Sequence, residues 1–120
     1  MTIQRFNVEN RYSDMAVFNG VAYLAGQVAT DLSQDIEGQM REVLGLIDQL
    51  LEQADSDKSR ILMAQIYLAD LSDYAGMNKV WDAWVSNIQG DAPPRATVQA
   101  LLASPLYRVE VVVTAAQKTI

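Results

Sequence analysis

Pro93-Pro94-Arg95-Ala96-Thr97-Val98-Gln99-Ala100-Leu101-Leu102-Ala103-Ser104-Pro105, with the strand-like run 107–116 behind it, is the stretch on which the fold turns. The two prolines end any helix ahead of them, because proline lacks an N–H and pushes the preceding residue out of the helical region. After the Ala-Ser-Pro turn, Val109, Val111 and Val113 alternate with Arg108, Glu110, Val112 and Thr114, a period of two. The segment reads as a β-hairpin with Leu102 opposite Tyr107, a guanidinium at its open end and a carboxylate on the returning strand. In that register Arg95 and Glu110 share a face but stand about four residues apart, roughly 13 Å. That is too far for both to touch one small ligand within one hairpin. Arg95 by itself is either a solvated rim charge or a fork for an anion.

Residues 61–69 set the next constraint. Leu62, Ala64, Ile66 and Leu68 alternate with Ile61, Met63, Gln65, Tyr67 and Ala69, so both faces are largely apolar. Such a strand is covered on both sides. Helices cover one face, and a chain of 120 residues has no element left for the other. A subunit interface is the simplest cover.

Upstream, 3–8 alternates weakly as an edge strand, and Asn19-Gly20 joins two apolar runs. Asn-Gly suits a type I′ turn, which needs positive φ at both central positions, so strands are predicted at about 14–18 and 21–27. Asp31, or alternatively Ser33, caps the following helix, with Gln34 completing a capping box after Asp31. Ile36, Met40, Val43, Leu44, Ile47, Leu50 and Leu51 then fall on one stripe, an amphipathic helix laid on a sheet. Gly38 and Gly45 lie on its other side, each at up to about 1 kcal/mol against alanine. Ser72 opens a second helix, whose stripe is Tyr74, Met77, Asn78, Trp81, Trp84, Val85 and Ile88. Trp81 and Trp84 read as core. Asn78 within that stripe needs a partner, either a neighbouring loop backbone or a loop lining a site. Asp55 and Asp57 lack the spacing of a calcium loop and read as solvated charges. The order is β-β-β-α-β-α-β-β, an α+β single domain over 1–120 with two helices on one face of a mixed sheet.

Composition removes whole classes of chemistry. The chain has no cysteine and no histidine. It therefore has no thiolate nucleophile, no Ser-His-Asp triad and none of the usual zinc ligands; acid–base work falls to Asp, Glu, Tyr, Lys, backbone or water. A formal charge of −6 opposes a nucleic-acid partner, which clustered Lys and Arg would recognise. No apolar run reaches the roughly 18–20 residues of a membrane span, and Met1-Thr2-Ile3-Gln4-Arg5 lacks a signal-peptide pattern. A cytoplasmic protein with no membrane partner is the expectation.

Pro-Pro-Arg-Ala-Thr-Val-Gln, then Ser-Pro, then Tyr-Arg-Val-Glu-Val, resembles the signature of the RidA (YjgF) family of enamine/imine deaminases. The likeness extends to residues 72–84 and is greatest to the YoaB-like branch. It implies a chorismate-mutase-like fold, a homotrimer with its sheets packed inward, and hydrolysis of imines or enamines such as 2-aminoacrylate to 2-keto acids. It implies no cofactor and no metal. By the same resemblance Arg95 clamps the substrate carboxylate, Glu110 helps hold the attacking water, Tyr12 covers the substrate and Asn78 lines the site. Gly26-Gln27 resembles the end of the family's Ser-Gly-Gln strand. Two positions depart from the family pattern: Ala25 replaces a serine, and Thr97 replaces a cysteine whose contact the backbone can supply. The alternative function is a non-catalytic trimer that binds small carboxylates, which needs Arg95 but not Glu110. A third class, an interaction module, needs neither.

Overall fold

The computed structural model describes residues 2–88 and 90–119. In chain order the elements are β1 (Gln4–Val8), β2 (Ser13–Phe18), β3 (Val21–Leu24), α1 (Ile36–Gln53), β4 (Ile61–Leu68), α2 (Tyr74–Val85), β5 (Arg95–Gln99) and β6 (Val109–Ala116). The expected order and layer arrangement are therefore found. The strands form one six-stranded sheet, β1-β2-β3-β6-β4-β5. All neighbours are antiparallel except β4 and β5.

Local chemistry sets the first hairpin. Asn19 and Gly20 take φ of 52° and 80°, and Phe18 faces Val21 across the turn, the two-residue loop that Asn-Gly favours. β3 is shorter than expected. It ends at Leu24, and Gln27 rejoins β6 as a single bridge to Val111.

The hairpin expected of β5 and β6 does not form. β4 lies between them, pairing parallel with β5 and antiparallel with β6. A β4–α2–β5 crossover brings two parallel strands together, and β4 satisfies its backbone on both edges. Residues 100–108 then span the end of β4, anchored where Ala100 N–H donates to Leu68 O and Ala69 N–H to Arg108 O. β4 also carries a bulge: Ile61 faces Ala115 but Met63 faces Thr114. One extra residue reverses the faces ahead of it, so Ile61 is buried and Leu62 half exposed, opposite to the simple alternation.

One face of the sheet carries both helices. Met40, Val43, Leu44, Ile47 and Leu51 of α1 and Met77, Val80 and Trp81 of α2 pack on Ala64, Ile66, Leu68, Val109, Val111 and Val113. Full burial is worth about 1.5–3 kcal/mol per large aliphatic side chain. α1 begins later than expected. Asp35 is its cap and accepts from Gly38 N–H at 2.9 Å, while Asp31 closes its own turn on Ser33. Ser72 likewise gives way: Asp70 closes a 3-10 turn over Leu71–Asp73, and α2 follows from Tyr74. No helix among the described residues is long and apolar enough to cross a membrane.

A buried amide ties the long crossing segment to α1. Gln39 is fully buried; its Nε2 donates to Leu106 O at 3.1 Å and its Oε1 accepts from Arg108 N–H at 2.9 Å. Gln39→Leu strands both backbone groups, and each buried unpaired group costs about 1–3 kcal/mol. Urea denaturation of this variant is expected to show a loss of that order, with faster amide exchange at Arg108.

Candidate functional site

α2 presents Tyr74, Met77, Asn78 and Trp81 on one stripe, because residues three, four and seven apart share a helix face. β5 lays Arg95 across it. The guanidinium carbon lies 5.2 Å from the Trp81 ring centroid and 5.9 Å from that of Tyr74, both within cation–π range. Nη2 donates to Asn78 Oδ1 at 2.7 Å and to the Tyr74 hydroxyl at 3.3 Å. Asn78 therefore holds the arginine rather than a loop backbone. Among the described residues Arg95 is half-buried and meets no carboxylate. Asn78, then Arg95, favours the ionised form of Tyr74 and lowers its pKa below the ordinary phenol value. Thr97, two residues along the same face, has a buried hydroxyl with no partner among the described residues.

Glu110 belongs to a different place. It pairs with Tyr67 on the face that carries no helix, whereas Arg95 pairs with Ala64 and points to the helices. The two are three residue steps apart along the strands and two strands apart, about 10 Å in each direction. The shared face expected from a hairpin is thus overturned, since β4 intervenes and the register differs. Between the Tyr23–Thr114 pair and the Gln27–Val111 bridge, four steps on one strand oppose three on the other. That is a bulge at Ala25-Gly26, and bulges re-aim neighbouring side chains. The Glu110 carboxylate folds over the glycine: a Cβ on Gly26 would strike Glu110 Oε2. Tyr12, Ala25 and Gly26 line one open cleft of about 470 Å³ beside Asp14 and Thr30. The chain thus holds two groups: Tyr12, Ala25, Gly26 and Glu110 in one, and Asn78, Arg95 and Thr97 in the other.

Residues 2–117 match the family described as Endoribonuclease L-PSP. The chain belongs to that family, the YjgF/RidA group. It is 52% identical over 114 residues to a RutC family protein of Haemophilus ducreyi, covering 95% of this chain and 96% of the relative. It is 47% identical over 116 residues to the RutC family protein YoaB of Escherichia coli, covering 97% and 99%. Among solved structures, a YjgF family protein from Neisseria meningitidis aligns with TM-score 0.94 at 42% identity, over 100% of this chain and 98% of the other. An uncharacterized protein from Pseudomonas aeruginosa aligns with TM-score 0.93 at 44% identity, over 98% and 100%. The YoaB-like character of this RidA-group chain therefore agrees with the branch its motifs resemble.

Tyr74 and Trp81 are the members of the Arg95 cluster that the sequence did not single out as site residues. Their signal was present, since both share the Asn78 stripe, but periodicity alone equally describes a core. Spectroscopic titration is expected to find one tyrosine ionising below the ordinary phenol range. Asn78→Ala should move that transition back up; an unmoved transition would mean the amide does not stabilise the Tyr74 phenolate.

Proposed function

We propose that the protein hydrolyses small imine or enamine carboxylates to 2-oxo acids and ammonia, in sites shared between copies of the chain. The observation that carries this reading is Arg95, a half-buried guanidinium held between two rings with no carboxylate partner among the described residues. A planar fork of that kind suits a substrate carboxylate, which it meets with two parallel N–H donors. In the proposed reaction, water adds to the imine carbon while Glu110 accepts its proton. The proton passes to nitrogen; the adduct's hydroxyl proton follows it as the carbonyl forms, the C–N bond breaks and ammonia leaves. An enamine first takes a proton on carbon to become the imine. Orientation of carboxylate and water supplies most of the assistance, because the imine carbon is already electrophilic.

Arg95 and Glu110 lie on opposite faces of one chain, so a shared site needs the β5 edge of one copy against the open face of the next. A head-to-tail contact forms a ring when its rotation closes, and a three-membered ring, a homotrimer, is the proposed assembly. The open face supports it. Phe18, Tyr23, Met63 and Val98 are each 40–51% exposed there, beside Val112 and Tyr67. An apolar sheet face of this extent normally has a partner.

The family description names an endoribonuclease, but a net charge of −6 and the absence of histidine argue against binding and cleaving a phosphodiester chain. Ala25, which has no hydroxyl where the resembled pattern has serine, favours a second reading, a trimer that binds carboxylates without turning them over. Glu110 separates the two.

The test follows 2-oxo acid release from enzymatically generated imines of several amino acids. Arg95→Ala and Glu110→Ala are each expected to be inactive. Mixed and allowed to exchange subunits, they should recover about a quarter of wild-type activity, since each interface draws one residue from either side. Confirmed exchange with no recovery rejects the shared site, and full activity of Glu110→Ala rejects hydrolysis through that carboxylate. Met63→Glu is expected to dissociate the trimer in light scattering, while Gln49→Glu on the helix face leaves it intact; monodisperse wild-type monomer at micromolar concentration would remove the assembly.

A further inference from the structure

Four glycines differ in what a side chain would meet. A Cβ on Gly26 would strike Glu110, and those on Gly38 and Gly76 would approach Gln34 and Ile36 to 2.7 Å, so packing explains all three. Gly45 has no such reason. It sits in the middle of α1, where glycine is less favourable than alanine, and a Cβ there would meet nothing within 4 Å. The space it leaves opens onto a groove of about 530 Å³ between α1 and α2, floored by Leu44, Val80, Ala83 and Trp84. That volume lies in the range of small-molecule sites.

The rim has a definite charge pattern. Arg41, Glu37 and Asp48 line it from α1, Lys79 from α2 and Lys58 from the turn before β4. Both carboxylates are already engaged: Glu37 by Arg41 and Lys79 at 3.6 and 3.5 Å, Asp48 by the Trp84 indole N–H at 3.0 Å. Lys58 meets no carboxylate among the described residues. Its Nζ donates to Trp84 O at 2.7 Å and stands 5.3 Å from the Trp84 ring centroid. The rim therefore carries three cations against two carboxylates, one positive charge in excess on a chain of net charge −6, over an apolar, partly aromatic floor.

We infer that this groove is a second small-molecule site, which takes a flat aromatic carboxylate with its ring in the space left by Gly45, against Trp84, and its carboxylate at Lys58. The argument is independent of the chemistry proposed at Arg95 and Glu110, and the groove lies on the helix side, away from the open sheet face. Complementarity fixes the class. An apolar slot accepts a ring, and the uncompensated ammonium at its edge accepts an anion.

The chain has two tryptophans, so the indole N–H region of a nitrogen-correlated NMR spectrum contains few signals and Trp84 is readily followed. Titration of the full-length protein with 2-naphthoate is expected to shift the Trp84 indole signal saturably. Gly45→Leu should weaken that binding at least about tenfold by filling the slot, while raising the thermal midpoint because leucine is the better helix former. Lys58→Gln should weaken it about fivefold. The neutral 2-naphthylmethanol should bind about fivefold less tightly than the carboxylate. Arg95→Ala should leave the titration unchanged. The site is overturned by absence of a saturable shift at about 10 mM naphthoate, some ten-thousandfold weaker than micromolar binding. It is equally overturned by binding that Gly45→Leu does not alter, by equal affinity for the neutral analogue, or by loss of binding in Arg95→Ala.

Discussion

The antiparallel ladder between β4 and β6 constrains the rest of the protein. It runs from the Ile61–Ala115 pair to Leu68–Val109 and sets two eight-residue strands side by side in the middle of the sheet. Both strands have one face of small and branched apolar residues that excludes water only beneath helices. α1 and α2 lie there, and their buried stripes complete the core. Because the strands occupy central positions, their backbone groups are paired on both edges, and the edges of the sheet fall to β1 and β5. The same ladder leaves Glu110, Val112, Thr114, Met63 and Tyr67 on the uncovered side.

Placing β4 between β5 and β6 has a direct chemical consequence. Arg95 and Glu110 lie near each other in sequence terms, yet the sheet separates them by two strands and by its own thickness. Each is nonetheless held. Arg95 is braced by Asn78, Tyr74 and Trp81, which removes the freedom of a long cation. Glu110 lies over a glycine at a bulge, where a Cβ at position 26 would displace its carboxylate. Braced, half-buried charges with no partner of opposite sign are poor stabilisers and good recognition groups, since desolvation strengthens their attraction to a ligand.

The segment 100–108 shows how a polar residue can serve a fold otherwise built on apolar packing. It passes over the end of β4 with few regular backbone pairs of its own. Gln39, projecting from α1, supplies both a donor and an acceptor to it, and Arg108 adds an ion pair to Asp73 at 3.2 Å. The crossing is thereby fastened to the layer of helices, which fixes where β6 enters the sheet and so which residue of β6 faces Gly26.

The sequence by itself determined the local events: the Asn19-Gly20 turn, the stripes of both helices, the alternation of β6 and the two apolar faces of β4. Each follows from interactions among neighbours in the chain, for which spacing is sufficient information. It also carried Arg95, Asn78, Glu110, Tyr12 and Gly26 as site candidates through the motifs around them. The helices start later than spacing alone indicates, because Asp31, Ser33, Asp35, Asp70 and Ser72 are all competent caps and only packing selects among them. Tertiary structure alone decided that β5 and β6 are not a hairpin. That outcome depends on β4, some thirty residues earlier, winning the pairing with both, and such long-range competition leaves no periodic trace in either strand. The same decision set Arg95 and Glu110 on opposite faces. A partner strand inserted between two others changes which side chains meet, whatever their spacing along the chain.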